Sequence, residues 1–112
     1  MFKVLLSKSA DKDLKKLSKK AISSDQKKKD LANLVLLMKK YADDGEIINT
    51  EKVKYEDDGF WAFKAYQTRA YFWISRKHSN SIIISNLSEK KKNRLCKEDR
   101  EKMKRVRTSV ED

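Results

Sequence analysis

The sequence predicts an α+β fold, in which an N-terminal strand and a helical hairpin pack on a mainly antiparallel β-sheet that a C-terminal helix follows. Apolar residues recur at helical spacing between residues 14 and 41, whereas residues 60–86 form short runs rich in aromatic and β-branched side chains. The chain has 112 residues. This length favours one domain, 1–112.

The first strand is predicted at residues 2–6, FKVLL. A helix should follow, because Ser7 and Ser9 can cap its start by accepting hydrogen bonds from first-turn amides. Its apolar residues recur at helical spacing and are Leu14, Leu17 and Ala21.

A second helix is predicted to begin near Ser23, Ser24 and Asp25, which are all residues that favour the cap position. Its apolar face is made of Leu31, Leu34, Val35, Met38 and Tyr41. Gly45 should end the helix. Because only a few residues join the two helices, we expect an antiparallel hairpin.

Residues 42–58 are acidic and predict a loop that leads into a strand at residues 52–55. Asp57, Asp58 and Gly59 then indicate a tight turn. The acids are spread along the segment without the spacing of a known metal-binding loop, so no metal site is predicted. They are Asp43, Asp44, Glu46, Glu51, Glu56, Asp57 and Asp58.

Three further strands are predicted at residues 60–66, 69–75 and 81–86, with turns at 67–68 and 77–80. Strand alternation places Arg69, Tyr71 and Trp73 on one face. It places Ala70, Phe72 and Ile74 on the other, where Phe72 and Ile74 are expected in the core.

The short turn between the first two of these strands brings Lys64 and Arg69 close together across the hairpin. Two like charges placed there repel each other unless an anion lies between them. This pair is therefore the first candidate for a functional site.

The chain after Asn86 is polar, and its pattern predicts a helix. Residues 87–107 contain ten Lys and Arg residues against four acids. Met103 and Val106 are the large apolar residues in its second half, so we expect weak docking on the sheet and fraying at residues 108–112.

The composition points to an anionic partner. The chain has 28 Lys and Arg residues against 17 Asp and Glu residues, for a net charge of +11. A cation excess of this size favours a nucleic acid or an acidic protein. One cysteine and one histidine exclude an internal disulfide and the usual zinc ligand set. No signal peptide or membrane span is recognisable, so we expect a cytoplasmic protein that needs no cofactor and no membrane.

The chemistry that remains is cleavage or binding of RNA by cations. Attack of the ribose 2′-hydroxyl on the adjacent phosphate needs a base, an acid and a cation that stabilises the phosphorane. Arginine suits the last task, and a lysine can act as base if its pKa is lowered. A phosphate-binding patch without chemistry explains the same residues equally well. The cations that could serve either purpose are Lys64, Arg69, Lys90, Lys91, Lys92 and Arg94.

Residues 60–94 resemble the RelE/ParE superfamily of bacterial toxins, and in particular its HigB-like, phage-derived branch. The likeness lies in WAFKAYQTRAYFWIS followed by SIIISNLSEKKKNRL and a charged helix. Lys64 matches the basic strand position, Arg69 matches the arginine after the turn, and Lys90 and Lys91 match the lysine pair. The proline usual after that pair and a C-terminal tyrosine are absent from this sequence.

The resemblance implies the toxin of a type II toxin–antitoxin system, an mRNA interferase that cleaves mRNA on the ribosome and inhibits translation. It assigns phosphate stabilisation to Arg69, and proton transfer or mRNA positioning to Lys64, Lys90 and Lys91. The expected partners are mRNA, the ribosome and a cognate antitoxin that carries an acidic segment, in a toxin–antitoxin hetero-oligomer. A gyrase-inhibiting ParE-type toxin and a non-catalytic RNA-binding protein are the alternatives. Candidate RNA-binding residues are Tyr66, Tyr71, Arg76, His78, Lys92 and Arg94.

Overall fold

The computed structural model describes residues 2–45, 50–89 and 96–111. The predicted α+β class is confirmed, and the segment near residues 52–55 forms a strand of its own. The elements in chain order are β1 (Lys3–Leu6), α1 (Lys8–Ala21), α2 (Asp25–Asp44), β2 (Val53–Asp57), β3 (Phe60–Ala65), β4 (Thr68–Ile74), β5 (Ser81–Glu89) and α3 (Lys97–Glu111).

The strands form one sheet in the order β1-β5-β4-β3-β2. The pairs β2–β3, β3–β4 and β4–β5 are antiparallel and follow one another along the chain. β1 pairs in parallel with β5, because the long path through the helices and three strands returns the chain to the sheet in the direction of β1. None of the helices in the described residues is long and apolar enough to cross a bilayer.

The predicted helix ends are confirmed at three positions. The Ser7 hydroxyl accepts a hydrogen bond from the Ala10 amide at 3.0 Å, and Ser24 caps α2 in the same way through Lys27. Gly45 ends α2 with a φ of 69°, a left-handed conformation that costs glycine little.

Apolar cores lie on both faces of the sheet. The helical hairpin covers one face, where Leu34, Phe63 and Phe72 are buried. The C-terminal helix α3 covers the other face, where Met103 packs with Phe60, Ala62, Tyr71, Trp73 and Ile83. Strands β4 and β5 are therefore buried almost along their whole length.

The expectation that α3 docks weakly and frays at residues 108–112 is wrong for the described residues. Met103 is fully buried, and α3 continues to Glu111. The Glu111 carboxylate accepts hydrogen bonds from the Trp73 indole at 2.6 Å and from the amides of Arg76 and Lys77 at 3.1 and 3.0 Å. These bonds fasten the last turn of α3 to the end of β4.

The strand assignments need two further corrections. Ile74, expected in the core, is 41% exposed, because it is the last residue of β4, beyond the cover of the helical hairpin. The turn between β3 and β4 falls at Tyr66 and Gln67, one residue earlier than predicted, and Tyr66 has a φ of 55°. Tyr71 and Trp73 share a face as predicted, but α3 covers that face.

Candidate anion-binding cleft

Lys64 and Arg69 face each other in the register of β3 and β4, as the sequence predicts. The β2–β3 ladder brings two more lysines beside them. The Lys64 amide donates to the Lys52 carbonyl at 2.8 Å, and Lys54 lies opposite Ala62, two residues before Lys64. Because paired residues share a face, these side chains gather at one end of the sheet. We call Lys52, Lys54, Lys64 and Arg69 the cation cluster.

The cation cluster lines an open cleft of about 890 Å³ at the β2 edge of the sheet. One wall comes from α2 and includes Asn33, Lys40 and Tyr41. The β3–β4 turn contributes Tyr66, whose side chain is 67% exposed. The cleft therefore combines concentrated positive charge with an accessible aromatic ring, which are the features that hold a nucleic acid strand.

Lys64 has a perturbed ionisation. Burial lowers its pKa from the usual 10.5, the Glu56 carboxylate opposes that effect, and Arg69 and Lys54 lower the pKa further through charge repulsion. A lowered pKa increases the fraction of neutral amine at a given pH, and the neutral amine is the form that accepts a proton.

Arg69 is held rigidly by its own turn. Its side chain is almost buried, with the residue 6% exposed, and Nη1 donates to the carbonyl oxygens of Tyr66 at 2.5 Å and Thr68 at 3.2 Å. The bond to Tyr66 supports the left-handed conformation of that residue. The guanidinium is therefore preorganised at the cleft instead of being a mobile surface cation.

Helix α2 and strand β5 brace the same turn. Asp30, which is buried on α2, accepts a hydrogen bond from Gln26 at 2.8 Å and lies 3.5 Å from the Thr68 hydroxyl. Glu89 lies opposite Thr68 in the β4–β5 register, next to the pair formed by Arg69 and Ser88. These contacts fix the position of the turn that carries Arg69.

Three of the predicted RNA-binding residues do not reach the cleft. Tyr71 is 1% exposed in the core beneath α3, so its ring has no free face for a base, and this expectation is corrected. Arg76 and His78 follow the other end of β4, and the six residues from Arg69 to Ile74 alone span about 17 Å. Arg76 instead lines a separate cleft of about 710 Å³ that also includes Trp61 and Arg107.

The remaining predicted residues, Lys90, Lys91, Lys92 and Arg94, lie outside the described residues. The expected lysine pair therefore stays a prediction. Among the residues that the structure describes, no group of three or more Asp, Glu, His or Cys side chains is arranged to hold a metal ion.

Sequence reasoning missed Lys52 and Lys54 as site residues. A usable signal existed, because the Asp58-Gly59 turn aligns the strand before it with residues 60–65. That alignment puts alternating lysines on the face of Lys64. Because residues 42–58 are acidic overall, composition did not indicate that Lys52 and Lys54 belong to a cationic site.

No protein-family model matches the chain, and no curated protein matches its sequence. The inference of function therefore depends on the residues of the cleft and on the resemblance carried by residues 60–94.

Proposed function

We propose that this protein is the toxin of a type II toxin–antitoxin system and that it cleaves mRNA on the ribosome without a metal ion. The observation that carries the proposal is the cross-strand pair of Lys64 and Arg69 inside the cation cluster. A phosphodiester placed between these two side chains would contact both cations at once, and charge-assisted hydrogen bonds to phosphate are among the strong ones.

The reaction follows from the properties of these side chains. The neutral Lys64 amine takes the proton of the 2′-hydroxyl while the 2′-oxygen bonds to phosphorus. Arg69 stabilises the negative charge that develops on the phosphorane oxygens. The bond from phosphorus to the 5′-oxygen then breaks, and that oxygen takes a proton from a protonated lysine of the cluster. The products are a 2′,3′-cyclic phosphate and a 5′-hydroxyl.

The other parts of the cleft bind and orient the RNA. Lys52 and Lys54 contact neighbouring phosphates, and the exposed ring of Tyr66 stacks on a base next to the scissile bond. The protein acts in the cytoplasm, where it meets translating ribosomes. A cognate antitoxin neutralises it by presenting an acidic segment to the cationic cleft.

Primer extension on cellular mRNA after induction, without antitoxin, tests the proposal. Lys64→Gln and Arg69→Lys should each reduce cleavage by about 100-fold or more. We choose Arg69→Lys because alanine would also leave two turn carbonyls without their donor. The matched controls Lys104→Gln and Arg105→Lys change exposed α3 residues, and should cleave like the wild type.

Full cleavage by Lys64→Gln and Arg69→Lys, with melting temperatures like that of the wild type, would contradict the assignment of the cleft. Intact mRNA together with induced DNA damage would instead assign the protein to the gyrase-directed toxins.

Non-catalytic RNA binding is the second candidate. The observation that favours it is the burial of Arg69, whose Nη1 is committed to two carbonyl oxygens of its own turn. In that case the purified protein binds RNA with strong salt dependence, and the RNA stays intact during prolonged incubation with ribosomes.

A further inference from the structure

Helix α2 begins with an arrangement that its own stability does not explain. Residues 27–29 are three consecutive lysines within the first five residues of the helix. The amino end of a helix carries partial positive charge, so cations there are unfavourable and acids are preferred. Lys27 is compensated by an ion pair with Glu89, but no acid of the described residues pairs with Lys28 or Lys29. These two lysines break a local rule without a structural gain and are therefore candidates for function.

The end of α1 adds more positive charge at the same place. Lys20 of α1 and Lys27 of α2 each lie 3.5 Å from one oxygen of the Glu89 carboxylate, which ties the two helix ends to the end of β5. Exposed lysines flank this bridge, and no acidic side chain of the described residues forms an ion pair with them. They are Lys16, Lys19, Lys28 and Lys29; we call them the hairpin-end surface.

The C-terminal helix α3 shows the opposite use of charge. Several of its cations bind acids of other elements, and these pairs hold the helix to the rest of the molecule. The pairs are Arg100 with Asp57 at 2.5 Å, Lys102 with Asp13 at 3.2 Å and Arg107 with Asp58 at 2.8 Å. The hairpin-end surface lacks such pairs within the part of the chain that the structure describes, so its cations are available to a partner.

We propose that the hairpin-end surface binds the phosphate backbone of double-stranded RNA, as a site separate from the cleft. Lysine is depleted at protein–protein interfaces, whereas protein–nucleic acid interfaces are strongly positive. Residues 16–29 contain no aromatic side chain. Because single strands are held largely by stacking on aromatic rings, the surface suits a duplex, which is recognised through its phosphates and shape.

The position of this surface relates it to the proposed reaction. Glu89, which carries the bridge, lies opposite Thr68, and Thr68 precedes Arg69 of the cation cluster. The surface and the cleft therefore lie at the same end of the sheet. The inference rests on the proposed function for its ligand: an RNA duplex of the ribosome bound here would hold the protein while a single strand enters the cleft.

The test measures binding of a fluorescein-labelled RNA duplex of about 20 base pairs as a function of NaCl concentration. The double variant Lys28→Gln/Lys29→Gln should bind the duplex roughly tenfold more weakly. A plot of the logarithm of the binding constant against the logarithm of the NaCl concentration should lose about 2 units of steepness, one for each lost phosphate contact. The control Lys104→Gln/Arg105→Gln removes the same charge from exposed positions of α3 and should leave the steepness unchanged. The melting temperature of the first variant should not fall, because cations have been removed from a helix amino end.

Equal weakening by the two double variants would overturn the proposal, because binding would then follow net charge alone. Unchanged duplex binding by Lys28→Gln/Lys29→Gln, with loss of affinity for poly-glutamate, would overturn it in favour of an acidic protein partner. Lys64→Gln separates this inference from the proposed function. If that variant cleaves like the wild type while Lys28→Gln/Lys29→Gln binds duplex weakly, the catalytic assignment fails and the duplex site stands.

Discussion

The carboxylate of Glu111 should hold the C-terminal helix in place, and Glu111→Gln tests this. Burial by itself raises the pKa of Glu111, but hydrogen bonds from Trp73, Ser75 and the amides of Lys77 and Arg76 outweigh it and lower the pKa from 4.5 to about 2. The charged form is therefore the one that the folded protein prefers. Glutamine keeps the shape of the side chain and an acceptor oxygen but loses the charge.

The size of the effect follows from this pKa. A full conversion of the change from 4.5 to about 2 would give about 3.5 kcal/mol, since each pKa unit corresponds to about 1.4 kcal/mol. Glu111 is half-buried, so solvent screens its interactions, and we expect Glu111→Gln to lower the free energy of unfolding by about 1 to 1.5 kcal/mol at pH 7. For a chain of this length that corresponds to a melting temperature lower by about 4 to 6 °C.

Thermal unfolding followed by circular dichroism at several pH values measures the effect. The lowered pKa of Glu111 contributes stability that is present above pH 4.5 and is lost as the pH falls towards 2. The difference between wild type and Glu111→Gln should therefore shrink over that window. The control Glu101→Gln removes an exposed α3 carboxylate that lies 4.0 Å from Lys97, and should change stability by less than about 0.5 kcal/mol. A Glu111→Gln variant as stable as Glu101→Gln at pH 7 would refute the reasoning.

Two further predictions concern α3 and the cleft. Met103→Ala opens a cavity under α3 and should lower the free energy of unfolding, measured by urea titration, by about 2 to 5 kcal/mol. A loss below about 1 kcal/mol would show that the packing of α3 contributes little to stability. Lys54→Gln should raise the pKa of Lys64, whereas Glu56→Gln should lower it. NMR titration of the Lys64 side chain measures both shifts, and shifts of the same sign would contradict the charge arrangement of the cleft.

Local patterns in the sequence were sufficient for most of the elements. Ser7, Ser24 and Gly45 mark the helix ends as predicted, because caps and left-handed glycines act through bonds within a few residues. The pairing of Lys64 with Arg69 was predictable for the same reason, since a short turn fixes the register of its hairpin. The predicted turn was nevertheless one residue late, because Tyr66 adopts a positive φ that residue type alone does not favour.

Contacts between segments far apart in the chain decided the burial of Tyr71 and the docking of α3, which the sequence did not indicate. Tyr71 alternates with its neighbours as expected, yet its face is closed because Met103, 32 positions later in the chain, packs on it. Apolar content alone made α3 look weakly docked, since it does not reveal the ion pairs and the Glu111 carboxylate that fasten that helix to the sheet.

The sequence by itself thus determined the α+β class, the helical hairpin and the cationic β3–β4 hairpin, because periodicity, caps and turns are encoded over a few residues. Only the tertiary structure decided which cations meet. Lys52 and Lys54 join Lys64 and Arg69 through the β2–β3 register, and Lys20 and Lys27 meet at Glu89 because helices and sheet pack together. Positive charge is spread along the sequence on both sides of the acidic residues 42–58, but its concentration at one end of the sheet is a result of packing.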